Sequence, residues 1–136
     1  MELADVFEHV KTVIENSNGT PRDSIRLEQT LFDELGVDSI DLVDILFELE
    51  FLYKIQLKIS DIEARARAKM GDEPYEIDGH ITPAGLQVIG EFMPEISKDK
   101  LVEGLTVHQL VQLFTVESLC KIVIYRIEEE ERKKEH

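Results

Sequence analysis

Apolar side chains recur at intervals of three and four residues in several separate stretches of this chain, a spacing that commits most of it to helices packed by one face. In the first stretch Val6, Phe7, Val10, Val13 and Ile14 share a side, while Glu2, Asp5, Glu8, Lys11 and Glu15 lie elsewhere. Asn16-Ser17-Asn18-Gly19-Thr20-Pro21 ends that helix, because Gly and Pro punctuate and short polar side chains compete for backbone hydrogen bonds. A long loop follows, which Ile25, Leu27, Leu31, Phe32 and Leu35 are expected to anchor. A second helix is predicted from Asp38 or Ser39, either of which can cap, to about Lys54. At 100° per residue, Leu42, Val43, Leu46, Phe47, Leu49 and Tyr53 form its expected buried arc, with Asp41, Asp44 and Glu48 opposite. Near the far end Thr115 can cap a helix lined by Val116, Leu119, Cys120, Val123 and Ile127, whose charged tail from Glu128 to His136 is expected to fray.

Between these helices, residues 60 to 114 are less regular. Asp61 is placed to cap a short basic helix through Arg65, Arg67 and Lys69, ended by Gly71 and Pro74. Thr82-Pro83 starts another, a cap followed by proline at the first helical position, leading into Leu86, Val88, Ile89 and Phe92. Pro94 closes it. Beyond Gly104, Val107, Leu110, Val111 and Phe114 repeat at helical spacing, and only Tyr75-Glu76-Ile77-Asp78 alternates like extended chain. The expectation is an all-α fold in one domain.

The chain has 136 residues, with 15 Lys plus Arg against 29 Asp plus Glu and a formal charge of −14. Nucleic acid and anionic lipid are repelled by that charge, and basic protein surfaces are favoured. Cys120 is the single cysteine, so no internal disulfide forms. No apolar run approaches the roughly 20 residues needed to span a bilayer, and the first five residues lack a secretory signal's order. A soluble, cytoplasmic monomer is expected.

Ser39 stands where an acidic loop turns into the second helix. A helix start exposes backbone N–H groups and the positive end of the helix dipole, which favours a phosphodiester at that point. From Leu27 to Tyr53 there is no Lys or Arg, while Glu28, Asp33, Glu34, Asp38, Asp41, Asp44, Glu48 and Glu50 supply eight carboxylates. Such a one-sign patch steers basic partners without requiring tight binding. Other chemistry finds little support. Ser39 lacks a Gly-x-Ser-x-Gly elbow, His9, His80, His108 and His136 are scattered without ligand spacing, and Cys120 falls within an apolar helical face.

Leu31-Phe32-Asp33-Glu34-Leu35-Gly36-Val37-Asp38-Ser39-Ile40-Asp41 resembles the F-x-x-D/E-L-G-x-D-S-L-D site of acyl carrier proteins, with a matching helix on each side. The resemblance covers about residues 3 to 60 and 113 to 127, so residues 60 to 112 read as an insertion of extra helices before the last core helix of an antiparallel bundle. It implies 4′-phosphopantetheine, covalent on Ser39, with Asp38 helping to hold magnesium transiently during attachment. It further implies a carrier and not an enzyme, holding an acyl chain as a thioester and delivering it to fatty-acid or specialised lipid biosynthesis. The implied partners are a phosphopantetheinyl transferase, then ketosynthases and acyltransferases whose basic surfaces meet Asp38, Asp41, Asp44 and Glu48. The implied acyl pocket includes Val43, Leu46, Phe47 and Ile122.

Ordinary fatty-acid carriers keep polar residues where this chain has Leu42, Phe51 and Leu52. Together with Asp41-Leu42-Val43-Asp44-Ile45-Leu46-Phe47, the stretch Phe114-Thr115-Val116-Glu117-Ser118-Leu119-Cys120-Lys121-Ile122 is similar to specialised carriers of very-long-chain acyl groups for lipid A. Phe51 and Leu52 continue the side begun by Asp41, Asp44 and Glu48, so either the inserted segment covers them or they dock a dedicated acyltransferase. Two other functions stay open: a peptidyl or aminoacyl carrier, and an acidic interaction module without cofactor.

Overall fold

The computed structural model describes residues 1 to 58 and 60 to 134. Its main elements are helices α1 (Leu3–Asn18), α2 (Ser39–Tyr53), α3 (Ser60–Met70), α4 (Pro83–Phe92), α5 (Val107–Gln112) and α6 (Val116–Lys134). A hairpin of strands β1 (Glu76–Ile77) and β2 (His80–Ile81) lies between α3 and α4, and 3-10 turns occupy Arg22–Ser24 and Lys98–Lys100. The fold is therefore nearly all helical, with the Tyr75–Asp78 alternation realised as part of the hairpin.

Helix α1 packs against both α2 and α6. Val6, Val10, Val13 and Ile14 meet there with Ile45, Leu49, Leu119 and Val123 in one apolar core. Burial of that seam removes apolar surface from water, which is the main force holding the bundle. Gly19 ends α1 in the left-handed conformation, φ +80°, returning its N–H to the Glu15 carbonyl at 2.9 Å.

The long loop is anchored as expected: Ile25, Leu31 and Leu35 are buried, Leu27 and Phe32 half-buried. Its backbone is also pinned to the start of α6. Leu31 donates to the Phe114 carbonyl at 3.0 Å, Val116 to Gln29 at 2.9 Å and Glu117 to Leu27 at 3.0 Å.

The segment from residue 60 to 112 is built on local caps. Thr82 accepts the Gly85 N–H through its side chain, and Thr106 forms a reciprocal capping box with Gln109. Asp61 lies inside the first turn of α3, where its carboxylate accepts from the Lys58 N–H at 2.9 Å. Helix α3 packs on α4. The hairpin ties this unit to α5: Ile81 donates to Leu105 at 2.8 Å, and the His80 ring donates to the Gly104 carbonyl at 2.8 Å.

Helix α6 runs to Lys134 without fraying at Glu128, contrary to expectation. Arg126 explains much of the difference, pairing with Glu129 at 2.7 Å and Glu130 at 3.1 Å along the helix face. The same guanidinium donates to the Gln56 carbonyl at 2.9 Å, fastening the tail to the segment after α2. His136 lies outside the described residues.

Candidate functional site

Ser39 is the first residue of α2 and is exposed. Asp38 precedes it as the cap. Its Oδ1 accepts the Asp41 N–H at 2.8 Å, and the Asp41 carboxylate accepts the Asp38 N–H at 3.2 Å. With Leu42 already donating to the Asp38 carbonyl, the amides of Ser39 and Ile40 are the helix-start donors left without a protein acceptor among the described residues. An exposed hydroxyl beside two free amides at a positive helix end suits a phosphodiester.

Rigidity comes from the loop. Gly36 turns the chain at φ +71°, a conformation that side chains resist, and Val37 then buries its side chain while donating to the Leu31 carbonyl at 2.9 Å. The end of α1 braces the same turn. Asn18 donates to the Leu35 carbonyl at 2.9 Å and Ser17 to the Asp41 carbonyl at 3.3 Å. Ser39 thus projects from a loop held on one side by α1 and on the other by the start of α6.

Residues 8 to 67 match the family model described as "Phosphopantetheine attachment site". The acyl carrier protein of Clostridium acetobutylicum is 35% identical over 75 residues, which is 55% of this chain and 95% of that protein. The chain belongs to the acyl carrier protein family. The acyl carrier proteins of Campylobacter fetus subsp. fetus (32% over 74 residues, 54% of this chain and 94% of that protein) and Thermotoga maritima (32% over 59 residues, 43% and 73%) are similar too.

On this acyl carrier scaffold, α2 presents a face different from the expected one. Leu42, Ile45 and Leu49 are buried, with Leu46 and Tyr53 partly so, whereas Val43 is 57% and Phe47 69% exposed. Val43 and Phe47 therefore do not line an interior pocket. The helix is rotated so that Ile45, absent from the expected arc, is fully buried. Leu46 remains half-buried, and Ile122 is buried on α6. Phe51 is 87% exposed, so residues 60 to 112 do not cover it, and Leu52 is exposed beside it. Ile40, Val43, Phe47 and Phe51 run as an apolar stripe along the solvent side of α2, with Asp44 and Glu48 exposed alongside. Asp41 is half-buried in the capping box.

Cys120 is fully buried, and burial pushes its thiol up to about 12, so it stays protonated and inert at neutral pH. Burial also raises Tyr53 to about 12. Its hydroxyl is hydrogen-bonded to the His9 ring, joining the end of α2 to α1. The sequence reading missed the buried polar knot at the start of α6. There Ser118 donates to Glu95 at 2.8 Å and Lys121 pairs with the same carboxylate at 2.6 Å. Lys121, set between the apolar residues Cys120 and Ile122, was the available signal. Among the described residues, no three His, Cys, Asp or Glu side chains gather as a metal site.

Proposed function

We propose that Ser39 bears 4′-phosphopantetheine and that the protein carries acyl chains on it as thioesters between enzymes of fatty-acid or specialised lipid biosynthesis. The observation that carries this reading is the exposed Ser39 hydroxyl at a doubly capped helix start, inside the matched residues. Attachment forms an O–P bond at Ser39 Oγ, releases the hydroxyl proton and expels the nucleotide part of coenzyme A. The bound group supplies a thiol on a long arm. The chain's own residues position it: the Ser39 and Ile40 amides favour the phosphodiester charge, and Asp38 keeps Oδ2 for a magnesium ion during transfer while Oδ1 holds the cap. No residue of the carrier is assigned a catalytic step.

Asp44 and Glu48, with Asp38 and Asp41 at the helix start, form the acidic part of the partner surface, and the Ile40–Phe51 stripe forms its apolar part. A transferase, ketosynthase or acyltransferase with an apolar groove rimmed by Lys and Arg fits both. Residues 60 to 112 form an insertion within a single acyl-carrier-like domain, and the carrier works as a cytoplasmic monomer. Its oily stripe favours a dedicated lipid enzyme, such as one handling very long acyl chains.

Intact mass after incubation with a phosphopantetheinyl transferase and coenzyme A tests the reading. The wild type gains one phosphopantetheine and Ser39→Ala gains none. Because the Ser39 side chain makes no hydrogen bond to the protein among the described residues, Ser39→Ala keeps the wild-type melting temperature. Loading with fatty acids and not amino acids then separates acyl from peptidyl carriage. An unmodified wild-type chain would leave the acidic interaction module.

A further inference from the structure

Between α3, the residues before β1 and α5 lies a cavity of about 270 Å³ whose lining has two characters. Val107, Leu110, Val111 and Phe114 form an apolar wall on the α5 side. Glu63 of α3, Tyr75 and Glu76 form a polar end. Burial, and after it the nearby Glu63 and Glu76 carboxylates, push the Tyr75 phenol up to about 12, so the three groups are neighbours. The cavity reaches solvent where Ser60 is exposed and Val107 and Val111 are half-buried.

That polar end is short of donors. Tyr75 is only 2% exposed, yet its hydroxyl has no hydrogen-bond partner among the described residues. Glu76 makes no ion pair there either, and Glu63 gives Oε1 to Arg67 at 2.7 Å while keeping Oε2. From Met70 to Ser97 the chain has no Lys or Arg. Asp72, Glu73 and Asp78 are exposed and no more than three residues from Tyr75, within roughly 11 Å of it even in a fully extended chain.

We infer that this cavity is a socket for a lysine or arginine side chain, presented by a basic segment of a partner protein. None of its lining residues belongs to α2 or the serine loop, so the inference goes beyond the carrier reading and does not depend on it. An apolar stem ending in a cation complements both parts of the lining. The methylenes lie on the α5 wall, and the ammonium or guanidinium group donates to Glu63, Glu76 and the Tyr75 hydroxyl. A plain hydrocarbon would leave those groups unpaired, and a bare cation would leave the apolar wall unused. The occupant is a segment and not a lone amine, because Asp72, Glu73 and Asp78 extend the negative surface beyond what one side chain covers. A formal charge of −14 steers such a segment toward the protein.

The test titrates the full chain, followed by NMR, with three probes: N-acetyl-lysine methylamide, the matching norleucine compound, and a capped Lys-Ala-Lys-Ala-Lys peptide. Capped lysine should shift the Val107, Leu110 and Val111 methyls and the Glu76 amide together, and saturably. Norleucine has the stem without the charge and should bind about tenfold more weakly, the scale of one lost charge-assisted contact. Glu76→Gln should weaken lysine binding by about the same factor and keep the wild-type melting temperature, since that side chain holds no partner in the fold. The peptide should bind about tenfold more tightly than capped lysine, and Asp72→Asn, Glu73→Gln and Asp78→Asn combined should remove that gain while leaving capped lysine unchanged. Norleucine binding as well as lysine, shifts confined to the α2 carboxylate face, or no saturable shift overturns the inference. A peptide no tighter than capped lysine makes this a site for small amines and overturns the protein partner.

Discussion

Asp38 has a structural task and a chemical one, and single substitutions can separate them. Its Oδ1 caps α2 through the Asp41 N–H, a contact whose removal by Asp38→Ala should cost about 1 kcal/mol of stability. Asp38→Asn keeps an oxygen acceptor for that amide. Asparagine is among the best caps, so its melting temperature should stay near wild type while the rate of phosphopantetheine attachment falls as far as in the alanine variant. Equal attachment rates for asparagine and wild type would show that the carboxylate charge is dispensable. Cys120, Tyr53 and Tyr75 set a second residue-scale expectation. Burial raises each to about 12, from ordinary values of 9.0 for the thiol and 10.0 for the phenols. The folded state holds these protons more tightly than the unfolded chain, so the stabilisation is complete below pH 9 and is lost as pH rises from 9 through 12. Denaturant midpoints should be level from pH 7 to 9 and fall above that, and a thiol reagent at pH 8 should label Cys120 only after unfolding. A level midpoint through pH 11 would contradict the assignment.

Helix α2 shows why an element can be legible in extent and not in orientation. Its limits follow from Asp38 at one end and the change to Lys54 at the other, both plain in the sequence. Orientation was harder, because Ile40, Leu42, Val43, Ile45, Leu46, Phe47, Leu49, Phe51 and Leu52 surround the helix almost completely. When apolar residues lie all round, the wheel does not fix which arc packs. The observed buried arc is turned by roughly 70° from the expected one at 100° per residue. Carboxylates did not settle it either, since Asp41 is half-buried in the cap while Asp44 and Glu48 share the solvent side with Phe47 and Phe51. That arrangement predicts a dissociation between folding and docking. Phe47→Ser with Phe51→Ser should leave stability within about 0.5 kcal/mol of wild type, as substitutions of exposed side chains do. The same variant should raise the KM of a phosphopantetheinyl transferase for the carrier; loss of melting temperature instead would mean that the stripe is covered in solution.

At the scale of the whole molecule, the caps Thr82 and Thr115 made α4 and α6 legible, and the spacing of Val107, Leu110, Val111 and Phe114 did the same for α5, because capping and periodicity are local chemistry. How residues 60 to 112 attach to the rest of the bundle was not legible, since it depends on partners far apart in sequence. Glu95 meets Ser118 and Lys121, 23 and 26 residues on, and its side chain is only 6% exposed. Lys121 also reaches the Phe92 carbonyl, at 3.5 Å, so one ammonium group fastens the end of α4 to α6. Removing it should strand a carboxylate in a poorly hydrated position. Breaking a fully buried pair costs about 3–5 kcal/mol, and because Lys121 retains some solvent contact, Lys121→Met should cost roughly 2 kcal/mol. Glu95→Met combined with Lys121→Met should recover most of that loss, since replacing both partners by apolar groups leaves no unpaired charge. Hydrogen exchange distinguishes where the loss falls. If the knot joins residues 60 to 112 and the rest of the bundle into one cooperative unit, amides of α4 and the first turn of α6 lose protection together in Lys121→Met. If α4 alone opens, the segment it belongs to is a separate foldon that can move without loosening the serine site.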